Sequence, residues 1–432
     1  MKSHYIFKSI LAVAVIAMAS CKPELKTITP SKGTADFSRY IAVGNSLTSG
    51  YADNGLYLEG QQNSFPLMIA TQMKTVGGGE FYTPFFREDQ SDGSGHVRLA
   101  SFTAAGLPVI LPVVDKLAVR GPGPLYTKYT GELNNYGVPG IKLGLITFPQ
   151  YGNLNPFYER LLPGVPPNNT TTYLDFVTAK PFTFFSMWLG NNDILGYATT
   201  GGASPADQPT PKATFTALYN LAASKLMMGG GTTAGAAKGV VATIPDVLTT
   251  PFFTTVTLPT LLKTVQAAAP QITALWITTG ANTVRAATAQ DYFLLTLSSA
   301  DVIGKGTIPY GLAPQNPIES KWVLDKDEAA VVADYTNAYN ATIKSVAAAN
   351  SLALVDANAL LKEYTGAGKM VNGANVSSAY ITGNLFSLDG IHLTPMGYSL
   401  IANEFIRSIN GKYGSSIPTV DVTKYRGVRF PQ

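Results

Sequence analysis

Hydrophobic positions along this 432-residue chain gather into short β-prone runs at 40–43, 182–189, 239–244, 272–278 and 352–355. Runs of this length bounded by Gly, Asn or Asp predict strands. The segments between them predict helices at 213–228, 328–349 and 395–409. Asp325 or Asp327 can cap the second helix, and Pro395 stands in the first turn of the third, where its missing N–H costs nothing. Strands alternating with helices predict an α/β sheet with helices on both faces. Residues 52–133 read as loop-rich, with aromatic pairs at Phe81-Tyr82 and Phe85-Phe86. Gly229-Gly230-Gly231 has no following Lys-Ser/Thr, so it reads as a linker and not as a phosphate cradle. No repeat of fixed period is present.

The start of the chain has a different pattern. Lys2 and Lys8 accompany an apolar run over 10–19 that ends in small residues before Cys21, the single cysteine. A basic start, an apolar stretch and small residues make a signal peptide over residues 1–20, and the run is shorter than the about 20 residues that a membrane span needs. Met18-Ala19-Ser20-Cys21 resembles the lipobox of bacterial lipoproteins, with Met18 where Leu is usual. The resemblance implies lipidation of Cys21 and a lipid-anchored place in the bacterial cell envelope, at the outer membrane or cell surface. Residues 21–36, rich in Lys, Pro, Thr, Ser and Gly, read as a tether. Residues 414–432 read as a C-terminal tail.

Composition narrows the classes. With 46% hydrophobic and 13% charged residues the chain is not of the disordered type, and a core of this size needs no disulfide or metal staple. The 31 Lys and Arg against 27 Asp and Glu give a formal charge of +4 without a basic run, which argues against a nucleic-acid surface. Of the three histidines, His4 lies in the leader, leaving His96 and His392. Two histidines and one cysteine make a zinc site implausible, and the carboxylates Asp89 and Asp92 near Gly93 lack calcium-loop spacing. No metal and no cofactor are expected. His96, in a Gly-rich loop, reads as an exposed loop histidine rather than a substrate contact.

Two places carry residue types suited to acyl chemistry. The run 40–43 enters Gly44-Asn45-Ser46-Leu47, and a strand that turns at glycine into a helix is one way to present a nucleophile. Asp389 precedes His392 by three residues across Gly390, so its carboxylate can fold back onto Nδ1 and fix the ring's tautomer. A serine hydroxyl is a weak nucleophile at neutral pH and needs such a base.

Gly44-Asn45-Ser46-Leu47-Thr48-Ser49-Gly50-Tyr51 resembles the first block of the GDSL, or SGNH, hydrolase family. Asn135-Tyr136-Gly137-Val138-Pro139-Gly140 is similar to its second block, Gly190-Asn191-Asn192-Asp193 to its third, and Asp389-Gly390-Ile391-His392 to its last. The four occur in the family order. The resemblance implies a flavodoxin-like three-layer α/β/α sandwich with a mostly parallel sheet and long insertions, spanning residues 37–413. It implies Ser46 as nucleophile, His392 as base and then acid, and Asp389 as the group that orients His392. The oxyanion hole would be the N–H groups of Ser46 and Gly140 with the side-chain amide of Asn192. The block usually has Asp where this chain has Asn45, which is expected to hold the loop by hydrogen bonds. Insertions at about 52–133 and 250–325 are expected to roof the site and set its substrate.

The expected reaction is hydrolysis of carboxylic esters through an acyl-serine. Acyl-lipid esters suit the apolar stretches 107–114 and 250–262, which could line an acyl groove. O-acetyl groups on a glycan are the alternative, although sugar platforms favour exposed aromatics and two of the three tryptophans, Trp188 and Trp276, fall in predicted strands. A non-catalytic binding lipoprotein on the same scaffold is the third reading.

Overall fold

A computed structural model describes residues 29–104, 106–121, 125–233 and 235–431. The leader, Cys21 and residues 22–28 of the expected tether lie outside the described residues. Five strands form one parallel sheet: β1 (Tyr40–Gly44), β2 (Asn135–Gly137), β3 (Phe184–Trp188), β4 (Lys238–Ala242) and β5 (Ala353–Val355), in the order β2-β1-β3-β4-β5. That is the flavodoxin-like doubly wound order, with the switch point between β1 and β3.

Every residue of β1, β2 and β3 is buried, as a parallel sheet covered on both faces requires. Alternation divides their side chains between two cores. Ile41, Val43, Phe185, Met187 and Val241 meet α4 (Lys212–Met227) and α5 (Lys326–Ala349) through Phe215, Tyr219, Tyr339 and Ile343. Ala42, Phe184, Trp188, Val240 and Val355 meet α2 (Phe65–Met73) and α6 (Pro395–Tyr413) through Phe65, Ile69, Ile401 and Phe405. The two short helices α1 (Ser46–Ser49) and α3 (Asn192–Thr199) start just past β1 and β3.

The structure corrects four expectations. The run 272–278 yields only a short strand at Trp276–Thr278, paired antiparallel with Val284–Ala286 outside the main sheet. It belongs to a separate small core with Val256, Leu275, Ile277, Phe293 and Ile318. Residues 52–133 are not simply loop: they contain α2 and a hairpin pairing His96–Phe102 with Pro108–Val113. Asn135–Gly137, where no strand was expected, is the edge strand β2. Residues 414–431 are no free tail, since Ile417, Val420 and Val422 are buried in the α6 core and Asn403 holds Val420 at both backbone atoms. The described end of the tether is also anchored, by Thr34 N–H to the Tyr413 carbonyl at 2.9 Å and by buried Ala35.

Candidate active site

Sheet register sets three of the four blocks side by side. Gly44, the last residue of β1, stands opposite Gly137 in β2 and Trp188 in β3. Ser46, Gly140 and Asn192 follow those strand ends within a few residues, so all three arrive at the carboxyl edge, where open parallel sheets bind ligands. Gly44 is required by space: a Cβ there would lie 2.0 Å from Thr48 Oγ1 and 2.8 Å from the Trp188 carbonyl. Gly140 is required by conformation, with φ +82°.

Asn45 caps α1, its Oδ1 accepting from Leu47 N–H at 3.0 Å, and its Nδ2 donates to Asn191 Oδ1 at 3.2 Å. The first block is thereby tied to the third without a negative charge beside Ser46. Asp193, next to Asn192, is buried and accepts from the N–H groups of Leu143 and Gly144 at 2.6 and 2.9 Å and from Thr210 at 2.6 Å. These bonds fix the segment after Gly140 to the start of α3.

The last block reaches the same edge from the loop before α6. Ser387 N–H to the His392 carbonyl at 2.8 Å closes that loop, and Thr394 caps α6 through Gly397 N–H at 3.0 Å. Asp389 Oδ1 accepts from His392 N–H at 2.8 Å and Ile391 N–H at 2.9 Å. Its Oδ2 lies 2.9 Å from His392 Nδ1, and His392 Nε2 lies 2.8 Å from Ser46 Oγ. Burial opposes the charge of Asp389, but the His392 ring and these N–H groups hold its carboxyl well below the usual carboxylate range. An ionised Asp389 only accepts, so Nδ1 carries the ring proton and Nε2 offers its lone pair to the Ser46 hydroxyl. Tyr51 packs on the His392 ring, centroids 4.6 Å apart.

Near Ser46 three N–H donors have hydrogens that are not engaged by the described residues. Among the described residues, neither the Ser46 N–H nor the Gly140 N–H has a hydrogen-bond acceptor. Asn192 Nδ2 donates one hydrogen to the Ile141 carbonyl at 2.9 Å, which fixes the amide and leaves its second hydrogen available. Ser46, Gly140, Asn192 and His392 share the wall of a groove of about 940 Å³. Both insertions line it: Val97, Leu107 and Ile110 from the first, Phe252 and Leu295 from the second. Among the described residues, no group of three or more His, Cys, Asp or Glu side chains is placed to hold a metal.

His96 departs from its expectation. It is partly buried at the start of a strand, its ring stacked on Tyr57 with centroids 4.0 Å apart, and burial pushes its pKa down. It lies outside the groove lining. One contact to the site was not foreseen: Asn54 N–H donates to Asp389 Oδ2 at 3.0 Å. Its only trace in the sequence is the turn-forming Asp53-Asn54-Gly55.

A doubly wound parallel sheet with a hydroxyl, an imidazole and a carboxylate in hydrogen-bonded series at its carboxyl edge is the arrangement of an α/β ester hydrolase. The chain belongs to the GDSL-like Lipase/Acylhydrolase family, whose profile matches residues 40–405. No curated protein is significantly similar to it in sequence. Among solved structures it resembles a lipase/acylhydrolase from Enterococcus faecalis at 11% identity, covering 88% of this chain and 100% of that one with a TM-score of 0.34. It also resembles phospholipase A1 from Streptomyces albidoflavus at 14% identity, 87% and 100% coverage and a TM-score of 0.35. A third is an acetylxylan esterase from Geobacillus stearothermophilus, at 9% identity, 87% and 96% coverage and a TM-score of 0.33.

Proposed function

We propose that this enzyme cleaves acyl-lipid esters through an acyl-Ser46 intermediate. The Ser46 hydroxyl attacks the ester carbonyl while His392 Nε2 takes its proton, and Asp389 stabilises the imidazolium that results. The carbonyl oxygen becomes an oxyanion held by the N–H groups of Ser46 and Gly140 and the amide of Asn192, donors already in place before charge develops. The tetrahedral adduct then collapses, and His392 returns the proton to the departing alcohol. Water repeats the sequence on the acyl-serine and frees the acid. The observation that carries this reading is the contact of Ser46 Oγ with His392 Nε2 at 2.8 Å, backed by Asp389 at 2.9 Å, on the wall of a groove of about 940 Å³.

Groove chemistry favours a lipid over a glycan. Leu107, Ile110, Leu154, Phe252 and Leu295 give an acyl chain apolar surface along its length. None of the three tryptophans lines the groove: Trp188 is fully buried in the α6 core, and Trp322 packs on the small core of the second insertion. On the sequence of residues 1–21, the domain is held at the bacterial envelope, at the outer membrane or cell surface, by lipid on Cys21.

A p-nitrophenyl ester series from acetate to palmitate tests the substrate. The lipid reading predicts kcat/KM rising with acyl length beyond acetate. Activity confined to acetate and acetylated oligosaccharides would transfer the assignment to a carbohydrate O-acetyl esterase. No turnover of any member would leave the binding-lipoprotein reading.

A further inference from the structure

The last block has no strand beneath it, so something else must hold Asp389 and His392 at Ser46. The chain turns back at Ala52–Gly55, with Ala52 N–H to the Gly55 carbonyl at 3.0 Å and Gly55 N–H to the Ala52 carbonyl at 2.9 Å. The two central residues, Asp53 and Asn54, are left-handed, with φ +51° and +61°. Two positive φ values are what a two-residue hairpin turn of the primed type needs, and Asp and Asn tolerate them better than other residues with a Cβ.

In such a turn the central N–H groups are not consumed by the turn itself, and here both are directed at the catalytic loop. Asp53 N–H donates to Ser387 Oγ at 2.9 Å, and Asn54 N–H donates to Asp389 Oδ2 at 3.0 Å. The Asp53 side chain completes the clamp, its Oδ1 accepting from Leu388 N–H at 3.0 Å. Its other oxygen accepts from the Tyr57 hydroxyl at 2.7 Å, and Tyr57 is held in turn by the stacked ring of His96. The turn also stays attached to the chain that carries the nucleophile, because Tyr51 N–H bonds the Ser46 carbonyl at 3.0 Å. One short segment thus reaches from Ser46 to three consecutive residues of the acid-base loop.

The geometry points to Asp53 as a positioning residue that sets the Asp389–His392 loop against Ser46, a role that rests on the catalytic reading above. Its carboxyl is buried, and burial first, with the neighbouring Asp389 carboxylate adding to it, makes a charge there costly. A neutral residue would avoid that cost, but an apolar one would leave the Leu388 N–H buried without an acceptor.

The test compares Asp53→Ala, Asp53→Asn and Ser46→Ala in the full-length enzyme. Asp53→Asn keeps an acceptor for Leu388 and removes the charge, whereas Asp53→Ala removes both. The readouts are kcat and KM on a p-nitrophenyl ester and the low-field proton resonance of the His392–Asp389 hydrogen bond. Asp53→Ala is expected to lower kcat roughly 10–100-fold with KM nearly unchanged, as a small misplacement of reacting groups does. The same variant should shift the low-field resonance, and Asp53→Asn should recover most of both. A folded Asp53→Ala enzyme with unaltered kcat and an unaltered resonance would overturn the proposal. Full activity of Ser46→Ala would instead overturn the catalytic reading on which the role rests, and a shifted resonance in Asp53→Ala would then show only that Asp53 holds the Asp389–His392 loop.

Discussion

Asn192 uses one amide for two purposes. One hydrogen is fixed on the Ile141 carbonyl at 2.9 Å, which leaves the other for the oxyanion in the proposed reaction. An interaction made only in the transition state affects kcat and kcat/KM alike. Asn192→Ala should therefore lower kcat by roughly 10²–10³ with little change in KM. Steady-state kinetics checks this, and a large rise in KM at constant kcat would make Asn192 a substrate-binding residue instead. At this scale the sequence was legible where chemistry restricts the residue type: a hydroxyl, an imidazole, a carboxylate, a neutral amide, a glycine at positive φ. It was silent where the working group is a backbone N–H. Asn54 and Leu388 bond to carboxylates through atoms that every non-proline residue carries, so their side chains betray nothing. Asp53 was passed over for a related reason, since Asp-Asn-Gly is adequate as a turn and only the fold brings it to Ser387, more than 300 residues on.

At the scale of elements, β1, β3, β4, β5 and the long helices were legible because each is a continuous apolar or capped segment. The helix α5 is the clearest case. Asp325 accepts from the N–H groups of Asp327 and Glu328 at 2.8 and 3.0 Å, and Glu328 returns the favour to Asp325 N–H at 2.9 Å. β2 was missed because it is a three-residue edge strand whose Asn and Gly have poor strand propensity. The run 272–278 misled because β-prone residues do not reveal which core they enter. The α5 cap also carries a pH dependence. Burial, then the nearby carboxylates of Asp325, Asp291 and Asp327, push Glu328 up to about 7 from 4.5. A carboxyl raised in the folded state is favoured there in its protonated form. Its stabilising contribution is therefore full below pH 4.5 and fades as pH rises through about 7. Glu328→Gln keeps an acceptor for Asp325 N–H without the charge. Thermal unfolding should place it level with the wild type at pH 4 and above it at pH 8. The same difference at both pH values would show that titration of Glu328 is not the cause.

For the whole molecule, the four blocks gave the family and the order of its parts, while the sheet explains why Ser46, Gly140 and Asn192 meet at one edge and the turn at Ala52–Gly55 is bonded to the loop that brings Asp389 and His392 to it. The shape of the groove was not legible, because it is built by two insertions that reach the loop carrying Asp389 and His392 separately, Leu99 of the first packing with Leu388 and Phe252 N–H of the second bonding the Gly390 carbonyl at 3.0 Å. The proposed lipid anchor rests on the sequence of residues 1–21 alone. A Cys21→Ala form should appear in soluble fractions or persist as uncleaved precursor, and a processed, membrane-bound form would refute the anchor. Whether His392 makes Ser46 nucleophilic is decided by covalent labelling with a fluorophosphonate followed by peptide mapping. A single labelled residue, Ser46, is expected, with labelling lost in Ser46→Ala, strongly slowed in His392→Ala and retained in His96→Ala. Label on another serine, or undiminished labelling of Ser46 in His392→Ala, would contradict it.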